Sequence, residues 1–317
     1  MKKQFDFIGK RRVVLAISIA LFLLGILLSF VIGVDMDISF KGGTLVKYSY
    51  TGTLDKTAVQ TLANDKMGSG TTVELTQNGD TQIISMTRAD VLTPDQQDAL
   101  LDAFQTTFKD NKIESIQVNS LEASMGRSFF AKCLVAVALA AIFLIIYVGL
   151  RFRKIGGFSA GVMAVYALLN DLMVAYLAFV IFRIPLNDNF VAVILTILGY
   201  SLNDTIVIFD RIRENRAKMG KEPIDNVVNL SLNQTLGRAI STSISTVIAI
   251  TCVAVVALIM DLDSVLSFAV PMLFGLISGS YTSIFLCTPV WAQWVKHSEK
   301  RAAEKAALKK KKKGIGA

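Results

Sequence analysis

Gly199-Tyr200-Ser201-Leu202-Asn203-Asp204-Thr205-Ile206-Val207-Ile208-Phe209 has the composition of a membrane-spanning helix, except that Asp204 places a carboxylate inside the run. An acidic side chain near the centre of such a helix disfavours insertion by roughly 2.5 to 3.5 kcal/mol, so it needs a compensating reason. Intramembrane acids usually face a bundle interior and often serve ion pathways. The plainer reading is a protonated Asp204 that hydrogen-bonds to a neighbouring helix.

Outward from this stretch, the chain is 53% hydrophobic with a mean hydropathy of +0.52. Several apolar runs exceed the roughly 18 residues that suggest a span. The pattern predicts six, at residues 13–34, 128–150, 157–182, 190–210, 239–260 and 264–290. The last is long enough to tilt or to break at Pro271, Gly275 or Gly279. Basic residues crowd one side: Lys10-Arg11-Arg12, then Arg151, Arg153 and Lys154, then Arg211, Arg213, Arg216, Lys218 and Lys221. The opposite connections, Arg183 to Asn189 and Asp261 to Asp263, hold a single basic residue between them, which predicts cytoplasmic termini at residues 1–12 and 291–317. The first span has no A-x-A-like cleavage site after it and reads as an uncleaved anchor.

The net charge of +8 follows from these flanks and from the Lys309–Lys313 run, so it points to no nucleic-acid partner. That basic tail suits anionic lipid or a disordered end. Cys133, Cys252 and Cys287 fall inside predicted spans at scattered spacing, which indicates neither a metal site nor a disulfide framework. No cofactor motif is present.

Residues 35–127 form the one long segment outside the spans. Thr44 to Tyr50 alternates like a strand, Thr53 to Lys66 has helical spacing, and Thr71 to Thr76 and Gln82 to Thr87 flank an Asn78-Gly79 turn. Thr93-Pro94 opens a second helix, and Ile113 to Val118 supplies a last strand. The order β-α-β-β-α-β predicts a small α+β ferredoxin-like domain on the extracytoplasmic side. It has no His and no Cys, so binding or mechanical work suits it better than catalysis.

Between the fourth and fifth spans, residues 211–238 read as a cytoplasmic loop. Gly220 ends a basic helix there, and Pro223 starts an amphipathic one whose apolar side is Ile224, Val227, Val228, Ser231, Leu232 and Thr235. Such a helix is expected to lie along the membrane surface. Ser241, Thr242, Ser243, Ser245 and Thr246 then open the fifth span with small polar residues that suit close packing, interhelical hydrogen bonds or a water wire.

Three stretches together resemble one family. Phe40-Lys41-Gly42-Gly43-Thr44 looks like a post-anchor Phe-x-Gly-Gly-Thr motif, in which the glycines allow a positive-φ turn into the first strand. Tyr200-Ser201-Leu202-Asn203-Asp204-Thr205, continuing through Asp210-Arg211 to Asn215, looks like a fourth-span signature, and Leu232 to Arg238 looks like a fifth-span opening. The family is SecF, a membrane subunit of bacterial protein export, and the resemblance covers nearly the whole chain. It implies half of a resistance-nodulation-division type permease in the bacterial cell membrane. Such a subunit pairs with SecD, has SecYEG, YajC, YidC and the translocating preprotein as partners, and uses proton flow to assist late export. It also implies that Asp204 and Arg238 belong to the proton pathway.

Where many members have His-Asp in the third span, this chain has Asn170-Asp171, so a second intramembrane acid remains without the histidine. Asp171 reads equally well as a second relay point or as a structural hydrogen-bonding residue. At 1.5 Å per residue it lies about 20 Å from Gly157, whereas Asp204 lies about 10 Å from Arg211, which predicts different depths. Arg238 has a plainer role too, as a basic helix end that snorkels toward lipid phosphates. Two rival functions are an independent exporter of lipids or small molecules and an intramembrane aspartyl protease. The first lacks a second set of spans. The second lacks the Gly-x-Gly-Asp pattern.

Overall fold

In the computed structural model, residues 5–9, 11–78, 81–220, 222–260 and 262–314 are described. Lys10, Gly79 of the expected Asn78-Gly79 turn, Lys221 and Asp261 lie outside them. Six helices are long and apolar enough to cross a membrane, and the chain is a multi-pass membrane protein carrying one small antiparallel sheet.

The bundle is built from α1 (Arg11–Val31), α5 (Ala123–Arg151), α6 (Gly157–Ile181), α7 (Asp188–Met219), α8 (Ile224–Ile259) and α9 (Asp263–Tyr281). A π-helical segment, Thr282–Cys287, runs on from α9 into α10 (Thr288–Gly314). Burial divides these unevenly. The most apolar windows of α6, α7 and the α9 to α10 rod are 44% to 61% buried, whereas those of α5 and α8 are only 6% buried.

The sheet domain sits between α1 and α5, at the end of the bundle opposite the basic connections. A short helix α2 (Ile38–Lys41), not foreseen from the sequence, precedes β1 (Gly43–Tyr50), α3 (Lys56–Met67), β2 (Thr72–Asn78), β3 (Thr81–Arg88), α4 (Pro94–Thr107) and β4 (Glu114–Leu121). Strand order is β2-β3-β1-β4, every pair antiparallel, with Val46 opposite Met86 and Val118. Alternation along β1 buries Val46, Tyr48 and Tyr50 against Val59, Ala63, Leu100 and Phe104 of the two helices. Both helix starts are capped. Asp55 accepts from the Thr57 and Ala58 amides, and Thr93 with Gln96 forms a reciprocal capping box ahead of Pro94.

Three expectations need correcting. The amphipathic segment after Pro223 does not lie separately along a surface: α8 runs unbroken from Ile224 to Ile259. Its apolar side packs into a core with Ile212, Trp291 and Phe152, because burial against protein is available where a surface helix would have only the interface. The last span does not break at Pro271, Gly275 or Gly279. Its irregularity is the π-helical segment just beyond, and the helix continues well past residue 290. The basic tail is accordingly helical to Gly314 rather than disordered.

The first described residues are tied to α8. Asn233 accepts from the Phe5 amide and donates to the Phe5 carbonyl, both at 3.0 Å, while Asn229 accepts from the Phe7 amide at 3.0 Å. Phe7 and Ile8 are buried beneath this strap, Phe7 meeting Phe285 at a ring distance of 5.4 Å.

Candidate proton site

Asp171 is completely buried on α6 and accepts three hydroxyl hydrogen bonds. Ser201 of α7 donates to Oδ2, and Ser278 of α9 and Thr282 of the π-helical segment donate to Oδ1, each at 2.7 Å. Three separate pieces of the bundle are thus fastened to one carboxylate. The approach is close because Gly279 faces it: a Cβ there would come within 3.1 Å of the Ser201 Cβ and 3.4 Å of Asp171 Oδ2. Beside this cage Thr205 pairs with Ser283 at 3.0 Å. The Thr288 hydroxyl donates to the Ser283 carbonyl at 2.9 Å, serving a backbone acceptor within the π-helical segment. Neighbouring Asn170 turns elsewhere and accepts from Ser18 of α1 at 2.6 Å.

Asp204 stands one turn along α7 from Ser201, and its surroundings differ. The residue is buried, yet its Oδ2 has no hydrogen-bond partner among the described residues. Tyr200, four residues earlier and therefore on the same side of the helix, leaves its buried hydroxyl unpartnered in the same way. Arg238 of α8 is exposed and lies within electrostatic reach of Asp204. Among the described residues the two form no salt bridge within 4.0 Å; the ion pairs that do form lie elsewhere. Asn203 points outward from the bundle, and Thr205 is buried against Ser283.

The depth estimate needs revision. Because Asp171 bonds to Ser201, it lies about one helical turn, near 5 Å, from the level of Asp204. Arg211 does not mark the helix end, because α7 continues to Met219.

The remaining motif residues are spread over two other places. Asp210 pairs with Arg151 at 3.2 Å and Arg213 at 2.9 Å, and Arg211 pairs with Glu214 at 2.7 Å, all at the basic end. These half-exposed pairs contribute little stability. At the opposite end, Phe40 is buried among Phe129, Phe130 and the tops of α6, α7 and α9. Gly42 and Gly43 then turn at φ 77° and 125°, and a side chain at Gly43 would strike the Arg88 carbonyl at 2.2 Å. Thr44, fully buried, donates to the Asp90 carbonyl and accepts from the Leu92 amide, both at 2.9 Å. Phe40 therefore holds the bundle and Thr44 holds the sheet, with two glycines between.

Ser278 and Thr282 escaped the sequence reading. Their signal was an i, i+4 pair of hydroxyls on one side of an apolar helix. In the polar opening of the fifth span, by contrast, Ser243, Ser245 and Thr246 donate to carbonyls of their own helix. No group of three or more His, Cys, Asp or Glu side chains among the described residues could hold a metal ion.

Residues 101–297 match the family model of the protein export membrane protein SecD/SecF, C-terminal. The protein translocase subunit SecF of Alicyclobacillus acidocaldarius is 34% identical over 97% of this chain and 99% of its own length. That of Petrotoga mobilis is 30% identical over 94% of this chain and 98% of its own. The protein translocase subunit SecDF of Bacillus subtilis is 32% identical over 92% of this chain, which spans 38% of that longer protein. Among solved structures, SecDF of Thermus thermophilus superposes with a TM-score of 0.77 at 23% identity, over 93% of this chain and 39% of that one.

Proposed function

The chain belongs to the SecD/SecF family of protein-export membrane proteins, and we propose that it acts with a SecD partner as an accessory subunit of the Sec translocase, coupling proton movement at Asp204 to late protein export. In this reading it resides in the bacterial cell membrane with both termini cytoplasmic, the basic end of the bundle facing inward and the sheet domain outward. SecYEG and the exported chain are its working partners, and YajC and YidC associate with the same assembly.

What supports proton coupling is the unpartnered Oδ2 of Asp204, a buried carboxylate oxygen one turn from a carboxylate that is fully partnered. A buried acid without fixed donors changes protonation without breaking hydrogen bonds, and a guanidinium within electrostatic reach gives the charged form a counter-ion. Motion of α8 relative to α7 would change that support. Each elementary charge crossing a 100 mV potential supplies about 2.3 kcal/mol, enough to bias a two-state movement. The Phe40 anchor and glycine turn give such a movement a route to the sheet domain.

Pairing with SecD draws support from α5 and α8, which expose nearly their whole apolar length. A relative named for both subunits, SecDF of Bacillus subtilis, carries this chain's match over only 38% of its length. The test is export into inverted membrane vesicles holding the complete translocase. Wild-type vesicles are expected to export faster under an imposed proton gradient, and vesicles with Asp204→Asn to show only gradient-independent export at normal subunit levels. A normal gradient response from Asp204→Asn would refute the proposal.

A further inference from the structure

At the basic end of the bundle a cavity of about 710 Å³ opens between the α5 to α6 connection and the start of α10. Arg153, Lys154 and Arg216 line it, with Glu299 as the one acid. Glu299 is taken by Arg216 at 2.9 Å, and Arg153 and Lys154 form no ion pair among the described residues. Two exposed cations therefore face the cavity uncompensated. The first turn of α6 adds to them, because its N-cap, Gly156, offers no side-chain acceptor to the free amides.

The same cavity has an apolar rim. Trp294 is 43% exposed and Phe158 70% exposed, and Leu150, at the end of α5 just outside, is 65% exposed. These lie where spanning helices end, at the depth where aromatic and basic side chains meet the lipid interface. An occupant must satisfy unpaired cations with one part and cover aromatic and aliphatic surface with another. A free anion meets only the first need. We propose that this cavity binds the headgroup of an anionic phospholipid, with Arg153 and Lys154 on the phosphate and the acyl chains running along Phe158, Trp294 and Leu150. Basic recesses between spanning helices take acidic headgroups by this combination. The inference stands apart from proton coupling, since it concerns neither Asp204 nor Asp171.

The experiment uses the full chain in nanodiscs of phosphatidylcholine with a minor fraction of phosphatidylglycerol. Native mass spectrometry reads retained lipid, and tryptophan quenching by brominated lipid reads its position. Wild-type protein is expected to retain phosphatidylglycerol over phosphatidylcholine, with stronger quenching by brominated phosphatidylglycerol that Trp294→Phe removes. Arg153→Gln with Lys154→Gln is expected to lower that retention about 30-fold, from about fivefold for each basic residue near the surface. Arg12→Gln with Lys300→Gln, an equal charge change at the same end, is expected to change it less than about twofold. Equal loss in both double variants, or equal retention of the two lipids, would overturn the assignment. Displacement of phosphatidylglycerol by inorganic phosphate would replace it with a soluble-anion site. Preferential displacement by a glutamate-rich peptide would replace it with a protein-docking site.

Discussion

Asp171 and Asp204 are buried carboxylates about one helical turn apart, yet one accepts three hydroxyl bonds and the other makes none among the described residues. The contrast separates two uses of an intramembrane acid. Asp171 joins α6 to α7, α9 and the π-helical segment, so its removal strands buried donors in three places. Asp204 leaves little to strand, so its charge can change while the helices stay in register. A residue held by its neighbours suits fastening, and one left free of them suits titration.

That contrast breaks first at Asp171. Replacement with Leu leaves three buried hydroxyls without their acceptor and is expected to cost about 3 kcal/mol or more. The readout is thermal unfolding in detergent, where Asp204→Leu should shift the midpoint far less. Equal shifts would mean that the two acids do the same structural work. Next comes Arg238. Arg238→Gln is expected to reduce gradient-driven export severalfold while leaving thermal stability close to wild type, and Arg238→Lys to restore much of it, since a charge rather than a bonded geometry is needed. Export by Arg238→Gln at the wild-type rate would reduce this arginine to a lipid-facing snorkel.

Smaller effects sharpen the picture. Ser201→Ala, Ser278→Ala and Thr282→Val should each cost about 0.6 kcal/mol and at most about 1.7 kcal/mol, the mean and the maximum for side-chain hydrogen bonds between membrane helices. Pairs of these substitutions are expected to combine non-additively because they share one carboxylate. The smallest effect belongs to Asp6, an exposed acid outside the spans. The Asn229 amide that donates to it, followed by the Gly9 amide, holds its carboxyl below the usual value of 3.8. A depressed pKa contributes stability above the unfolded value and loses it as pH falls through the folded one. Hydrogen exchange at the amides of Phe5 to Gly9 should therefore quicken only below about pH 4. Asp6→Asn should remove that acid dependence.

The sequence is most readable where one residue type acts through length alone. Apolar runs marked the helices that cross, and alternation in Thr44 to Tyr50 marked a strand whose buried side is Val46, Tyr48 and Tyr50. Asp204 was equally conspicuous, because a carboxylate in an apolar run is costly wherever the helix packs. The partners of Asp171 were not conspicuous. A serine or threonine in a spanning helix commonly bonds its own backbone, as Ser243 and Thr246 do, and the sequence does not distinguish those from Ser278 and Thr282. Only tertiary packing chooses, through a glycine at position 279 that admits the neighbouring helices. The continuity of α8 was hidden for a related reason. Its amphipathic start looks like an interfacial helix until Ile212 and Trp291 are placed against it.

Asp204, rather than Asp171, is the acid expected to exchange a proton. Infrared difference spectroscopy of the reconstituted complex, stepped between two pH values, reads protonated carboxyl groups directly. A carboxyl band is expected in wild type, absent from Asp204→Asn and present in Asp171→Asn. A band lost in Asp171→Asn and kept in Asp204→Asn would contradict this assignment.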